Sequence, residues 1–96
     1  MHVRFRPRAG QDVERAAQWY ERRLVGLGTR FIGEIHLTVG RIAERPTAYP
    51  TTHRGVRRAL VTTFPFAIYY LLRNEDVVVI AVVHTKRHER SWRRRS

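Results

Sequence analysis

Seven consecutive apolar residues, Val77 to Val83, lie between the polar turn sequence Asn74-Glu75-Asp76 and His84. Five of the seven are valine and one is isoleucine, β-branched side chains that fit a pleated surface. A strand with one wet face alternates polar and apolar residues, whereas a run without alternation reads as a central strand covered on both faces. The rest of the chain must therefore supply strands beside this one and layers against it. The run is also far short of the ~20 apolar residues that cross a bilayer, so no membrane association is expected.

Three further strands can be read around it. Ala67 to Leu72, rich in Ile and Tyr, precedes the turn. Before that, Val56, Arg58, Leu60 and Thr62 alternate with Arg57, Ala59, Val61 and Thr63, and Phe64-Pro65-Phe66 makes a corner between the two runs. At the N-terminus, Val3 and Phe5 share one side of a short strand that Pro7 ends, because proline cannot donate to a ladder.

Between the first strand and the others the period changes to three and four. From about Ala9, the residues Val13, Ala16, Ala17, Tyr20, Leu24 and Leu27 form one helical stripe. Gln11 and Asp12 sit near its start, where negative charge is favourable, and Gly26 and Gly28 stop it. Thr29 is then the expected N-cap of a second helix with Phe31, Ile32, Ile35, Val39 and Ile42 turned inward, ended by Pro46. The short connection makes the two helices an antiparallel hairpin. The expected fold is α+β, in the order β-α-α-β-β-β. The hairpin packs on one face of a small twisted, mostly antiparallel sheet that the first strand also joins. It fills a single domain over 1–96 with a basic tail at 85–96, whose Arg93, Arg94 and Arg95 read as a solvated, mobile end.

The formal charge is +11, from 19 Lys and Arg against 8 Asp and Glu, and Lys86 is the only lysine. Charge of this size points to an anionic partner, a nucleic acid, a ribosome or an acidic protein segment. Guanidinium forks suit phosphate and carboxylate alike. The absence of cysteine excludes disulfides and thiol-ligated metals. The opening Met1-His2-Val3-Arg4-Phe5-Arg6-Pro7-Arg8 has no apolar signal core, so a cytoplasmic protein is expected. No phosphate-binding glycine loop, dinucleotide motif or nucleophile elbow occurs, and no cofactor is expected. Of the five histidines, only His84 and His88 have a metal-like spacing, and His84 ends a strand rather than lying on a helix. A metal site is not expected.

Several residues carry open alternatives. Arg57 and Arg58 point to opposite faces of their strand, so one faces away from the core, as a plain surface cation or a phosphate contact. Arg54 and His53, in the preceding loop, can add to it. Tyr69 and Tyr70 also face opposite ways; a core or edge role stands first for both, with Tyr70 kept as a target contact. His84, followed by Arg87, is either a general acid or base or a structural histidine. Trp92, among arginines, either stacks on a base or caps the edge of the core.

Taken in order along the chain, these pieces resemble the RelE/ParE superfamily of toxins. The resemblance is carried by Asp12-Val13-Glu14 with Tyr20-Glu21, then Gly26-Leu27-Gly28 with Phe31, then Pro46 and Tyr49-Pro50. It continues through Val56-Arg57-Arg58, Phe64-Pro65-Phe66 and Ile68-Tyr69-Tyr70 to Val83-His84 with Arg87 and Trp92. It implies a growth-inhibiting bacterial protein of a type II toxin–antitoxin pair. It also implies a cognate acidic antitoxin that folds onto the toxin, a partner complementary to the +11 charge.

The superfamily divides on target. RelE-like members cut messenger RNA on the ribosome. In that case Arg57 or Arg58 would hold the phosphate, His84 would act as base or acid, Arg87 would add charge stabilisation, and Trp92 would stack on a base. This sequence lacks the lysine cluster of the best ribonucleases in the superfamily, with His53 and Arg54 near that place. ParE-like members are held to poison DNA gyrase by binding alone. The Phe-Pro-Phe and Ile-Tyr-Tyr segments and the helical hairpin favour the ParE-like reading, with the ribosome-dependent endonuclease as the alternative. A non-toxic basic RNA-binding domain is a third reading.

Overall fold

The computed structural model describes residues 1–87, 90–93 and 95. The apolar run is β4 (Asp76–His84), and it is central. On one side it pairs antiparallel with β3 (Phe66–Arg73), which pairs antiparallel in turn with β2 (Arg57–Leu60). On the other side β1 (His2–Phe5) runs parallel to it, giving the order β1-β4-β3-β2. The last three strands are thus the expected meander. The first strand joins the sheet on the far side of β4, a parallel pairing that needs a long crossover.

Both faces of β4 are covered, by different parts of the chain. Val77, Val79 and Val82 belong to a core under the helices, with Phe31, Ile35, Ile42, Ile68 and Tyr70. Val78, Ile80, Ala81 and Val83 belong to a second cluster on the opposite side, with Val56, Tyr69, Leu71 and Trp92. A β-bulge sets this division. Tyr69 lies opposite Ala81 and Tyr70 opposite Val79, so Ile80 is the extra residue, and Ile80 and Ala81 both enter the second cluster.

Helix α1 (Pro7–Arg23) begins two residues earlier than the apolar stripe implies. Pro7 opens the helix as well as ending the strand, because an N–H at the first helical position has no intrahelical bond to lose. Asp12 therefore lies beyond the first turn. The stripe also fails at its other end, where Leu24 is extended and 63% exposed. Helix α2 (Leu27–Glu44) starts at Gly26, in the left-handed region at φ 91°, and not at Thr29. Its cap comes from α1. The Glu21 carboxylate accepts from the Gly26 N–H at 2.8 Å and the Gly28 N–H at 2.9 Å, satisfying two orphan donors. Gly28 also lets the helices close, since a Cβ there would sit 2.5 Å from the Ala17 carbonyl oxygen. The buried face of α2 is Gly28, Phe31, Ile35, Thr38 and Ile42. Ile32, expected inside, is 37% exposed, while Thr38 is buried and its hydroxyl donates to the Glu34 carbonyl at 2.9 Å.

The second face is closed by the C-terminal segment. A single turn, α3 (Arg90–Arg93), carries Trp92, which is fully buried and stacked on Tyr69 with ring centroids 4.3 Å apart. Arg95 is not a solvated end. Its guanidinium meets the Asp12 carboxylate at 2.6 Å and donates to the Ile80 carbonyl at 3.2 Å, with both charged side chains 11% exposed. Arg93 is exposed, and Arg94 lies outside the described residues.

Candidate functional site

The residues the sequence singled out do not meet at one place. In the sheet register Arg57 is level with Tyr70, and His84 is level with Phe66. Four residues along β3 separate those rungs, about 13 Å at ~3.3 Å per residue. Arg57 reaches back over the chain that leaves α2. Its guanidinium donates to the carbonyls of Thr47 at 3.1 Å and Tyr49 at 2.6 Å. Arg58 lies on the other face of the sheet, where its Nε donates to the Tyr69 hydroxyl at 3.1 Å. Both arginines are half-buried and bonded within the chain.

Tyr70 and Trp92 are core residues, each with no exposed surface. The Tyr70 hydroxyl donates to the Pro46 carbonyl at 2.7 Å, tying the end of α2 to the sheet, and burial pushes its pKa up to about 12 against a smaller opposing pull from Arg57. The Trp92 ring face is occupied by Tyr69, so it is not presented for stacking on a base. Arg54 is exposed at a loop tip, with φ 53° beside Gly55 at φ 78°, a tight reversal closed by the Val56 N–H on the His53 carbonyl.

His84 and Arg87 do come together, at the end of β4. They line a hollow of about 190 Å³ with Asp12, Arg15, Ala16, Phe66, Val82 and Val83. It runs on into a second hollow of about 200 Å³, walled by Trp19 and Tyr20, and the two share Ala16, Phe66 and His84. The result is one trough between α1 and the end of β4, charged at one end and aromatic at the other. The Nδ1 of His84 accepts from the Lys86 N–H at 3.1 Å. At the trough, His84 has no protein partner for its Nε2 among the described residues. Its cross-strand neighbour is the Phe66 ring, 5.4 Å away, and not a cation. Among the described residues no cluster of three metal-capable side chains occurs; His88 lies outside them.

Reading the sequence did not find the Asp12–Arg95 pair, which spans most of the chain. Beyond the end of β1, β4 has an open edge. There Arg95 takes the Ile80 carbonyl, and Asp12 takes the Val82 N–H at 3.0 Å. The two side chains act as one residue of a missing strand. Nor did it single out Arg15 and Trp19 as trough residues. Their spacing from Asp12, at three and seven positions, was the available signal, since it puts all three on one side of α1.

A statistical description of one family, the ParE toxin of the type II toxin–antitoxin system parDE, matches residues 3–89. The chain belongs to the ParE toxin family. It is a toxin of the type II toxin–antitoxin class. A solved structure described as the chromosomal ParDE TA system from P. aeruginosa contains a chain similar to this ParE protein. The TM-score is 0.66 at 12% identity, over 88% of this chain and 95% of that one. At that identity the likeness is one of fold. No curated relative matches the chain. The α+β architecture expected from the RelE/ParE resemblance is the one observed.

Proposed function

We propose that this ParE-type toxin arrests growth by binding DNA gyrase, without cutting RNA, and that an acidic cognate antitoxin neutralises it in the cytoplasm. The observation that carries the reading is the separation of Arg57 and Arg58 from the hollow where His84 and Arg87 meet. Phosphodiester cleavage needs a base, an acid and charge stabilisation within a few ångströms of one phosphate. Here Arg57 and Arg58 are bonded within the chain on opposite faces of the sheet. His84 stands about 13 Å away along the strand direction. Its Nδ1 accepts from the Lys86 amide, which occupies one of its two nitrogens. A protein that acts by binding needs shape and field, and a charge of +11 supplies the field for a negatively charged partner.

The test is pulse labelling of DNA and protein synthesis after induction in cells without the antitoxin, joined to a supercoiling assay with purified gyrase. DNA synthesis should stop first, gyrase should be inhibited, and His84→Ala should still arrest growth. Protein synthesis stopping first, with loss of arrest in His84→Ala, would establish the endonuclease reading instead. Absence of any growth arrest would leave a basic RNA-binding domain.

A further inference from the structure

The trough between α1 and the end of β4 has a length and a polarity that specify an occupant. From Asp12 to Trp19 the helix rises about 10 Å at ~1.5 Å per residue. An extended chain covers that distance in about three residues, and its side chains i and i+2 leave on the same side, about 6–7 Å apart. One lobe holds Arg15, Arg87 and the His84 imidazole. Asp12, in the same lobe, is already paired with Arg95 at 2.6 Å and does not cancel those charges. The other lobe is walled by Trp19, Tyr20 and Phe66.

We infer that this trough receives an extended segment of the acidic antitoxin in which an apolar side chain and a carboxylate stand two residues apart. The apolar side chain enters the aromatic lobe, and the carboxylate lies between Arg15 and Arg87 with the His84 imidazole beside it. The inference rests on the reading that an acidic partner neutralises the toxin, and it adds where that partner is held and by which pair of side chains. Single-stranded RNA fits less well. Base stacking needs an open ring face, and Trp19 has the Arg23 guanidinium 4.2 Å over its ring and Tyr20 in edge contact at 5.1 Å. An aliphatic side chain needs only the apolar wall.

The full-length protein would be titrated with two blocked heptapeptides of serine and glycine carrying one leucine and one glutamate, two positions apart in one and adjacent in the other. Amide shifts and Trp19 fluorescence are the readouts. The spaced peptide should shift the amides of Ala16, Val82 and His84 and bind at least about fivefold more tightly than its isomer. Arg15→Glu and Arg87→Glu should each weaken it by about fivefold or more, the scale of one exposed ion pair. Arg73→Glu, a charge reversal at the exposed end of β3, should change it less than twofold. Equal binding of the two peptides, shifts elsewhere, no binding, or tighter binding of a pentaribonucleotide at the same amides would each overturn the assignment.

Calorimetry with the product of the neighbouring reading frame separates the two levels. If it binds the wild type but binds Arg15→Glu, Arg87→Glu and Ala16→Trp equally well, the trough is wrong and the toxin–antitoxin reading stands. If it neither binds nor relieves growth arrest, that reading falls and the trough assignment with it. Thermal melts of the three variants, each changed at an exposed or half-buried position, separate misfolding from lost contact.

Discussion

Replacing Asp12 by alanine should cost far more stability than an ordinary change on a helix surface. The carboxylate accepts the Val82 N–H at 3.0 Å and holds the Arg95 guanidinium through nitrogens at 2.6 and 3.3 Å. Removing it leaves a strand amide without its acceptor, at about 1–3 kcal/mol, and a nearly buried cation without its counter-charge. Breaking a buried pair from one side costs about 3–5 kcal/mol. At 11% exposure for each partner some water can enter, so the low end applies, about 3 kcal/mol. For a domain of this size that is a fall in Tm of about 12–15 °C, taking about 4–5 °C per kcal/mol.

Arg95→Met should cost less, about 2 kcal/mol, because Asp12 keeps the Val82 amide. The double variant should be more stable than the sum of the two losses predicts, by about 1–3 kcal/mol, since the pair interacts directly. Urea melts of the four proteins give the cycle, with Trp92 fluorescence reporting whether the last turn has come away. Single losses below about 0.5 kcal/mol with strict additivity would show that the pair is a surface decoration, and the account of the β4 edge would be wrong.

Two further outcomes follow from single residues. Asn74 and Glu75 form the β3–β4 turn with φ of 50° and 70°, a conformation that costs a side-chain residue about 1 kcal/mol or more, so Glu75→Gly should raise stability by about 0.5–1 kcal/mol in a urea melt; a loss would mean that the turn is held by the glutamate side chain. Stability should also fall at alkaline pH. The unfolded Tyr70 ionises from pH 10 while the folded one holds its proton to about 12, so the unfolded state binds fewer protons in that window and stability drops as pH rises through it. The difference, about 2–3 kcal/mol over the window at ~1.4 kcal/mol per unit, should be absent in Tyr70→Phe, and an unchanged pH dependence in that variant would place the loss elsewhere.

What the sequence revealed and what it hid divide along physical lines. Periodicity exposed the two helices and the three meander strands, because each buries a face whose spacing is written locally. Val77 to Val83 announced a strand covered twice over, but the identity of the second cover was not local. Trp92 and Arg95 act on Tyr69 and on Asp12, and no window along the chain contains such a pair. Helix α2 shows the same limit on a small scale. Thr29 has the chemistry of a cap, yet Glu21 of the preceding helix supplies it, because the close approach at Gly28 brings that carboxylate onto the α2 amides.

The surroundings of the candidate site residues were hidden in a related way. Arg57 and Arg58 looked like chemistry because adjacent arginines on a strand must face opposite sides, and a cation under a helical layer demands a reason. The reason is internal. Arg57 supplies hydrogen bonds to the carbonyls of Thr47 and Tyr49, where the chain after α2 has left regular structure, and Arg58 satisfies the hydroxyl of a tyrosine packed against Trp92. Arg15 and Arg87 are different. They stand exposed at a trough whose other end is aromatic, so their charge acts outward, where it can attract and orient a partner. A fold that spends its inward arginines on loop geometry and leaves others beside an apolar hollow is suited to holding another chain.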